Sequence, residues 1–351
     1  RANARVASVR IGVITTSYPR FAGDPAGHFV ASHVAAMRAL GHTVEVIAAG
    51  DGRDRVPSSL FYRGGAPDQL ERGGVSRLLA GASFTARLAA RVARRSRNWD
   101  RAFAHWLVPS ALVAIATTNV PITAIAHGGD VHTLARLHLL GPALALYRRA
   151  QLVFVSNALR DIAARHGDVS RSIVQPMGID IAHFAALARA PEPLIVVLSR
   201  LVPIKGVDVV IDAMAHVRTP ARLVIAGDGP ERTRLERRGN AQFLGEVDTA
   251  ARDDLLRRAS VVVVPSRVLA NGRTEGMPVV ALEALAAGVP VVASAVGGLA
   301  ELAEIRTVPP DEPIALARAI DAVLATSNDV ARLQASVAHL DWALVAERLL
   351  A

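Results

Sequence analysis

"SVVVVPSRVLANGRTEGMPVVALEALAAGVPVVASAVGG", residues 260–298, runs from four consecutive valines through a polar loop and an apolar segment into a second β-branched run. Val261–Val264 is too short and too uniformly apolar for a half-exposed strand, so it predicts a strand buried on both faces, as in a parallel sheet. Pro278 suits the first turn of a following helix and Gly288 its C-terminal cap. Two glutamates, Glu275 and Glu283, bracket the apolar run EGMPVVALE. For Glu275 the plain reading is a helix cap, where a carboxylate meets unpaired N–H groups. For Glu283, deep among small apolar residues, it is a buried pair with an arginine.

The same alternation extends on both sides. "LIVVLSR", "ARLVIAGDGP" and "AQFLGEV" precede the quoted stretch, each a buried run ending in a polar or glycine-rich tip. An earlier series, "VRIGVITTS", "TVEVIAAG", "ITAIAHGG", "LVFVSN" and "SIVQPMG", repeats the pattern, with a helix through "HFVASHVAAMRALG" that Gly41 ends. Repeated β-loop-α order implies two α/β units, each a parallel sheet with helices on both faces. A length of 351 residues also favours two domains. Pro191 and Pro193 mark the seam, which places the boundary near residue 186; the chain from about 313 onward reads as helical. Ligands in such sheets sit beyond the carboxyl ends of the strands, so chemistry is expected at the tips "HGGD", "SRLVPIKG", "GDGPE" and "SRVLANGRTEG".

Composition narrows the classes. Apolar residues make up 51% and charged residues 20%, which is globular rather than disordered. There is no cysteine, which excludes disulfides, zinc thiolates and cysteine nucleophiles and fits a reducing cytoplasm. The formal net charge is +9, concentrated at Arg87, Arg91, Arg94, Arg95, Arg97 and Arg101. That cluster is either a solvated helix face or a surface for anionic lipid or acidic polymer. Nucleic acid is not expected, because no aromatic residues interleave the cations. The uncharged stretch 106–126 is long enough to span a bilayer, but two prolines and a central Thr-Thr-Asn divide it into helix, turn and buried strand. No hydrophobic signal region opens the sequence.

Two tips carry recognisable chemistry. In "LSRLVPIKGVD", Ser199, Arg200 and Lys205 gather at the mouth of a helix that Gly206 opens, a guanidinium fork and an ammonium suited to a diphosphate. The Gly-Asp-Gly-Pro turn after residue 226 needs no role beyond joining strand to helix. No G-x-G-x-x-G is present, so a nicotinamide enzyme is not supported. His127, followed by Gly128 and Gly129, ends a strand as a structural residue or as a donor to a hydroxyl, and His132 is an equal candidate.

"SRLVPIKGVD", "VIAGDGPE" and "EGMPVVALEALAAGVPVVASAVGG", in this order and spacing, resemble glycosyltransferase family 4, retaining enzymes of the GT-B fold. The likeness covers roughly 190 to 305, and "SYPRFAGDPAGHFV", "AHGGD" and "VSNALRD" extend it through the first domain. It implies two Rossmann-like domains facing a deep cleft: an acceptor-binding domain at 1–185, a nucleotide-sugar-binding domain at 186–325, and helices at 326–351 crossing back to the first. It further implies that Arg200 and Lys205 hold the donor diphosphate and that Glu283 binds the ribose. Glu275 then contacts the transferred sugar, with the N–H groups of Gly276, Met277 and Val279. His127 and Gly128 would lie beside that sugar, Gly27 against the diphosphate, and Leu244, Gly245 and Val247 near the base. The family's usual Gly-Gly is Ala26-Gly27 here.

Glu275 and Glu283 match the family's E-x7-E pair, and the chain contains no D-x-D. The implied activity is metal-independent hexosyl transfer without a cofactor, from a UDP-sugar ahead of a GDP-sugar. The acceptor would be a hydroxyl of a glycolipid, a lipid-linked or cell-surface polysaccharide, or a small glycoside. The implied place is the cytoplasm, at the inner face of the plasma membrane if the basic cluster meets anionic lipid. A nucleotide-sugar 2-epimerase or phosphorylase of the same fold, and a catalytically idle basic membrane- or polymer-binding protein, remain the alternatives.

Overall fold

The structure, a computed structural model, describes residues 8–21, 23–24, 26–51, 55–58, 60–61 and 74–351. The opening residues of the expected first domain, and Ala22 and Pro25 of SYPRFAGDPAGHFV, lie outside the described residues. The chain forms two compact units, one ending at Gly178 and regaining Trp342–Ala351, the other Ile179–Asp341.

Among the described residues, the first unit holds a seven-stranded sheet. Its strands are β1 (Arg10–Thr15), β2 (Thr43–Ala49), β3 (Arg55–Val56), β4 (Arg101–His105), β5 (Ile122–Ala126), β6 (Ala150–Phe154) and β7 (Ile173–Val174). They pair in parallel in the order β3-β2-β1-β4-β5-β6-β7. The second unit carries six: β8 (Leu194–Leu198), β9 (Arg222–Ala226), β10 (Gln242–Gly245), β11 (Val261–Val264), β12 (Val291–Ser294) and β13 (Ile305–Val308). Its order, β10-β9-β8-β11-β12-β13, is also wholly parallel. Both sheets are doubly wound, reversing direction between β1 and β4 and between β8 and β11, and such switch points are where ligands bind.

The apolar runs form these strands because both of their faces are covered. In the second unit Val196, Val262 and Val264 pack on one side with Leu282 and Leu285 of the helix Val279–Ala286. Ile195, Val197, Val261 and Val263 turn to the other side, against Val210 of Val207–Ala213 and Ile320 of Pro313–Leu324. The two-residue period of a strand thus feeds two cores at once. Residues 106–126 resolve into a helix ending at Thr117 and the buried strand β5. No helix among the described residues is long and apolar enough to cross a membrane.

Three strands were not expected. β4 lies at the centre of its sheet, yet its sequence RAFAH begins with Arg101, the last member of the basic cluster, and alanines dilute its β-branched character. β3 has two residues and β13 lies at a sheet edge, too short and too mixed to show a period. The units also divide at Gly178, earlier than the expected 186, and only Trp342–Ala351, most of it the helix Trp342–Leu350, rejoins the first unit. Val330–Val337 instead packs on Val279–Ala286, because its apolar face, Leu333 and Val337, completes that core. Trp342 fills the space beside Gly178, where a Cβ would come within 2.5 Å of its ring. Arg101 holds the end of the returning helix through the carbonyl of Leu350.

Candidate functional site

In the second unit the two strands flanking the switch point deliver the charged residues. β8 leads into Ser199 and Arg200, then a short turn Pro203–Lys205. β11 leads into the loop 265–278, which contains Glu275. Lys205 Nζ lies 2.7 Å from Glu275 Oε1, the two side chains being 19% and 14% exposed. Ser266 Oγ reaches the same carboxylate oxygen at 3.4 Å. Two backbone contacts bring the loops this close. The Arg267 N–H donates to the Ile204 carbonyl at 3.0 Å. Gly206 has φ +58°, and a Cβ there would fall 2.0 Å from the Pro265 carbonyl oxygen. Glycine is therefore required for both conformation and approach.

The loop after β8 is fixed from its other side by the turn that the sequence suggested was a plain connection. Leu201 N–H donates to Asp228 O at 2.8 Å, and Glu231 N–H to Leu201 O at 3.0 Å. A Cβ on Gly227 would lie 1.8 Å from the Ser199 carbonyl oxygen. Gly227 N–H also donates to the Gly245 carbonyl at 2.7 Å, so the tips of β8, β9 and β10 form one continuous rim. Ser199 and the exposed Arg200 stand on this rim, as do Leu244, which is exposed, and Gly245; Val247 packs partly against the core. Arg267 was not singled out in the sequence. It binds Asp208 at 2.9 Å and Asp311 at 2.8 Å, which braces the β11 loop.

The helix Val279–Ala286 starts differently from expectation. Pro278 occupies the cap position rather than the first turn, and no side chain caps the helix. Glu275 precedes it and turns its carboxylate to Lys205 instead, an opposite full charge outweighing the partial charges of a short helix. Gly276 is buried, and its carbonyl accepts from Gly298 N–H at 2.8 Å; Met277 and Val279 are half-buried against the core. Glu283 is 5% exposed and receives Arg252 Nη1 at 3.1 Å. The same guanidinium bonds Asp253 Oδ1 at 2.8 Å and lies over the Phe184 ring at 4.9 Å. The buried pair with an arginine is therefore present, its partner lying on the helix Thr249–Arg258.

In the first unit Gly27 caps the helix His28–Ala39 at φ +68°, and a Cβ there would fall 2.4 Å from the Ser17 carbonyl oxygen. Buried Asp24 shapes the loop before it, accepting from Arg20 N–H at 3.0 Å and Ala26 N–H at 3.1 Å. His127 stands at the tip of β5 with its Nε2 3.1 Å from Nδ1 of His105, the last residue of β4. His105 Nε2 in turn lies 3.2 Å from Nδ1 of His33, on the helix His28–Ala39. Burial holds His33 down at about 4 and His127 at about 3, and pushes His105 well below the usual histidine range, so all three rings are neutral at pH 7. Gly128 N–H donates to Asp130 Oδ1 at 2.9 Å, while Asp130 Oδ2 accepts from Leu107 N–H at 2.7 Å. His132 is buried within the helix Gly129–Arg136. Neither His33 nor His105 is marked in the sequence, since each is a lone histidine in an apolar segment.

Two doubly wound parallel sheets in one chain, with Lys205 and Glu275 paired at one switch point and a histidine set at the other, have the architecture of the GT-B fold. Residues 192–326 match the family described as glycosyl transferases group 1, and residues 26–183 match glycosyltransferase family 4. The chain is 30% identical, in an alignment of 304 positions with gaps, to a D-inositol 3-phosphate glycosyltransferase of Xylanimonas cellulosilytica, spanning 72% of this chain and 70% of the relative. It is 28% identical, in an alignment of 382 positions with gaps, to a phosphatidyl-myo-inositol mannosyltransferase of Mycobacterium tuberculosis, spanning 97% and 96%. Anabaena HepE, solved with UDP and glucose, superposes with a TM-score of 0.70 at 21% identity over 97% of this chain and 98% of that one. The chain belongs to glycosyltransferase family 4.

Proposed function

We propose that this glycosyltransferase moves a hexose from a nucleotide-diphosphate sugar to an acceptor hydroxyl with retention of configuration. The observation that carries the reading is the meeting of Lys205 and Glu275 at the switch point of the second sheet, with Arg200 on the adjoining rim. Arg200 and Lys205 take the diphosphate and stabilise its charge as the C1–O bond breaks, so that no metal is required. Glu275 and the N–H groups of Gly276, Met277 and Val279 take the sugar, and Glu283 takes the ribose. Ser199, Leu244, Gly245 and Val247 complete the nucleotide side. Gly27, Gly128 and His127 serve from the first unit.

The acceptor oxygen forms its bond to C1 on the face from which the diphosphate departs, and the acceptor proton passes to the leaving phosphate oxygen. A two-carboxylate scheme is disfavoured, because Glu283 is buried within a helix and held by Arg252. Uridine diphosphate sugars are the first donors to test and guanosine diphosphate sugars the second. The acceptor class is a glycolipid, a lipid-linked or cell-surface polysaccharide, or a small glycoside; the phosphatidyl-myo-inositol in one relative's name supports a lipid acceptor, and the D-inositol 3-phosphate in another's supports a small-molecule one.

A thermal-shift screen of nucleotide-sugars tests the reading, since a bound ligand stabilises the fold by an amount that grows with the logarithm of its concentration over Kd. Stabilisation by one donor, lost in Arg200→Ala, is expected. Release of an epimerised sugar with donor alone would establish the epimerase alternative, and no stabilisation by any donor would favour the idle binding protein.

The helix Val75–Arg95 supports contact with an anionic membrane at the cytoplasmic face of the plasma membrane. It buries Phe84, Leu88 and Val92, exposes Val75, Leu78 and Leu79 at its start, and carries five arginines with no acidic residue. Sedimentation with phosphatidylglycerol vesicles but not phosphatidylcholine vesicles, lost on Leu78→Ser with Leu79→Ser, is the expected result. Equal recovery with both vesicle types would refute it.

A further inference from the structure

His33, His105 and His127 come from a helix and two strand tips, and they are joined by two nitrogen-to-nitrogen contacts of 3.2 and 3.1 Å. Each contact holds one proton, and each neutral imidazole carries one N–H. Only two arrangements of three protons satisfy both contacts. In the first, His33 Nδ1–H donates to His105 and His105 Nδ1–H donates to His127, which leaves the proton of His127 on Nδ1. In the second, every bond is reversed, His127 gives its Nε2–H to the ladder and the proton of His33 sits on Nε2. The ring of His105 cannot donate in both directions, so the ladder switches as a unit.

The inner end decides between them. His33 is fully buried, with its Nε2 lacking a hydrogen-bond partner among the described residues. Its ring stacks on Trp342 at 5.4 Å and 14° and meets Phe103 edge-on at 5.2 Å. The reversed arrangement would strand an N–H in this apolar site, whereas the first leaves only an unused lone pair, and orphaned donors are the rarer and costlier of the two. At the outer end Phe29 and Trp106 flank His127 at 5.1 and 4.8 Å, and it stacks on His105 at 5.2 Å and 14°, which fixes the plane of its ring.

We propose that His33 and His105 are positioning residues that lock His127 in one tautomer, with Nδ1–H left outside the ladder as a donor to a ligand oxygen. Burial keeps the three rings neutral near pH 7, so this donor is an imidazole rather than an imidazolium. That the ligand oxygen is a hydroxyl of the transferred sugar rests on the glycosyl-transfer reading; the tautomer does not.

Histidine-labelled 15N NMR of the unliganded protein tests it, with single-histidine variants for assignment. The expected spectrum shows His127 with a protonated Nδ1 and an unprotonated Nε2. His33→Asp, whose carboxylate accepts where His33 Nδ1 donates, should draw the His105 proton to Nε2 and so turn His127 to the Nε2–H tautomer, whereas His33→Phe, which leaves only an unused lone pair on His105 Nε2, should keep Nδ1–H. A protonated Nε2 on wild-type His127, or an unchanged tautomer in His33→Asp, would overturn the proposal. If His33→Asp does not fold, the wild-type spectrum alone decides. Because no donor is added, failure here is distinguishable from absence of transferase activity, which leaves the spectrum untouched.

Discussion

Lys205 Nζ and Glu275 Oε1 are 2.7 Å apart, although one follows β8 and the other follows β11. The two charges are assigned to different parts of one donor, yet without it they neutralise each other. A diphosphate offers the ammonium a doubly charged partner, so donor binding should part the pair and free Glu275 for the sugar.

The two partners should therefore respond oppositely. Glu275→Gln releases Lys205 and should tighten free UDP or GDP severalfold, roughly 1 kcal/mol for a partly exposed pair. Its turnover with the intact donor should fall by about two to three orders of magnitude. Lys205→Ala should weaken the free nucleotide and slow turnover together. Calorimetry on the nucleotide and initial rates on the donor separate these outcomes; equal losses of nucleotide affinity in both variants would contradict the division.

Glu283 and Arg252 form the second pair, and its two ends are unequally buried, at 7% and 19% side-chain exposure. Arg252→Met removes the guanidinium from a buried carboxylate and should cost about 3 kcal/mol. Glu283→Gln keeps a hydrogen-bonding group and should cost about 1 kcal/mol. The same Glu283→Gln should weaken a ribonucleotide diphosphate about tenfold, by trading a charged acceptor for a neutral one. A 2′-deoxynucleotide should lose less. Calorimetric unfolding and titrations with the two nucleotides check both parts, and equal losses for the two would remove the ribose assignment.

What was legible in the sequence follows from range. β8, β9, β11 and β12 announce themselves because unbroken β-branched runs leave few other folds, and their polar tips then mark the ligand end of each sheet. β4 does not, since alanines and a leading arginine erase its period. The Glu275–Glu283 spacing was visible because both lie in one local segment. The partners that determine their state, Lys205 and Arg252, lie on other elements, and only the sheet order brings them near. The histidine ladder was least visible. Three residues at 33, 105 and 127 share no segment and no spacing, and only the adjacency of β4 to β5 and the packing of the helix His28–Ala39 align them.

Two glycines in the second unit share a left-handed conformation but differ in surroundings. Gly272, at φ +78°, has open space where a Cβ would go, while Gly206, at φ +58°, has the Pro265 carbonyl oxygen 2.0 Å away. Gly272→Ala should cost only the conformational penalty, about 1–2 kcal/mol. Gly206→Ala adds a clash of backbone against backbone and should cost at least about 3 kcal/mol. It should also displace Lys205 and reduce turnover at temperatures where the protein is still folded. Calorimetry of both variants checks the ranking, and equal shifts would mean that the loops around Lys205 yield without cost.

Acid should loosen the first unit before the pH at which exposed carboxylates titrate. His33 and His127 are held by burial at about 4 and about 3, whereas an unfolded chain titrates histidine near 6.5. Below that value the unfolded state binds protons that the folded state refuses, so stability is full above about pH 6.5 and falls as the pH drops toward the folded values. Each ring contributes up to about 1.4 kcal/mol per pH unit. Asp130, raised by burial, works in the opposite sense once the pH reaches the carboxylate range. Trp99, Trp106 and Trp342 are the three tryptophans and all belong to the first unit, so their fluorescence follows that unit alone. Its transition temperature should be flat from about pH 7.5 to 6.5 and fall steadily below that, and His33→Phe should make the fall shallower by removing one of the titrating rings. An unchanged slope in His33→Phe would mean that His33 gains its proton without unfolding the surrounding core.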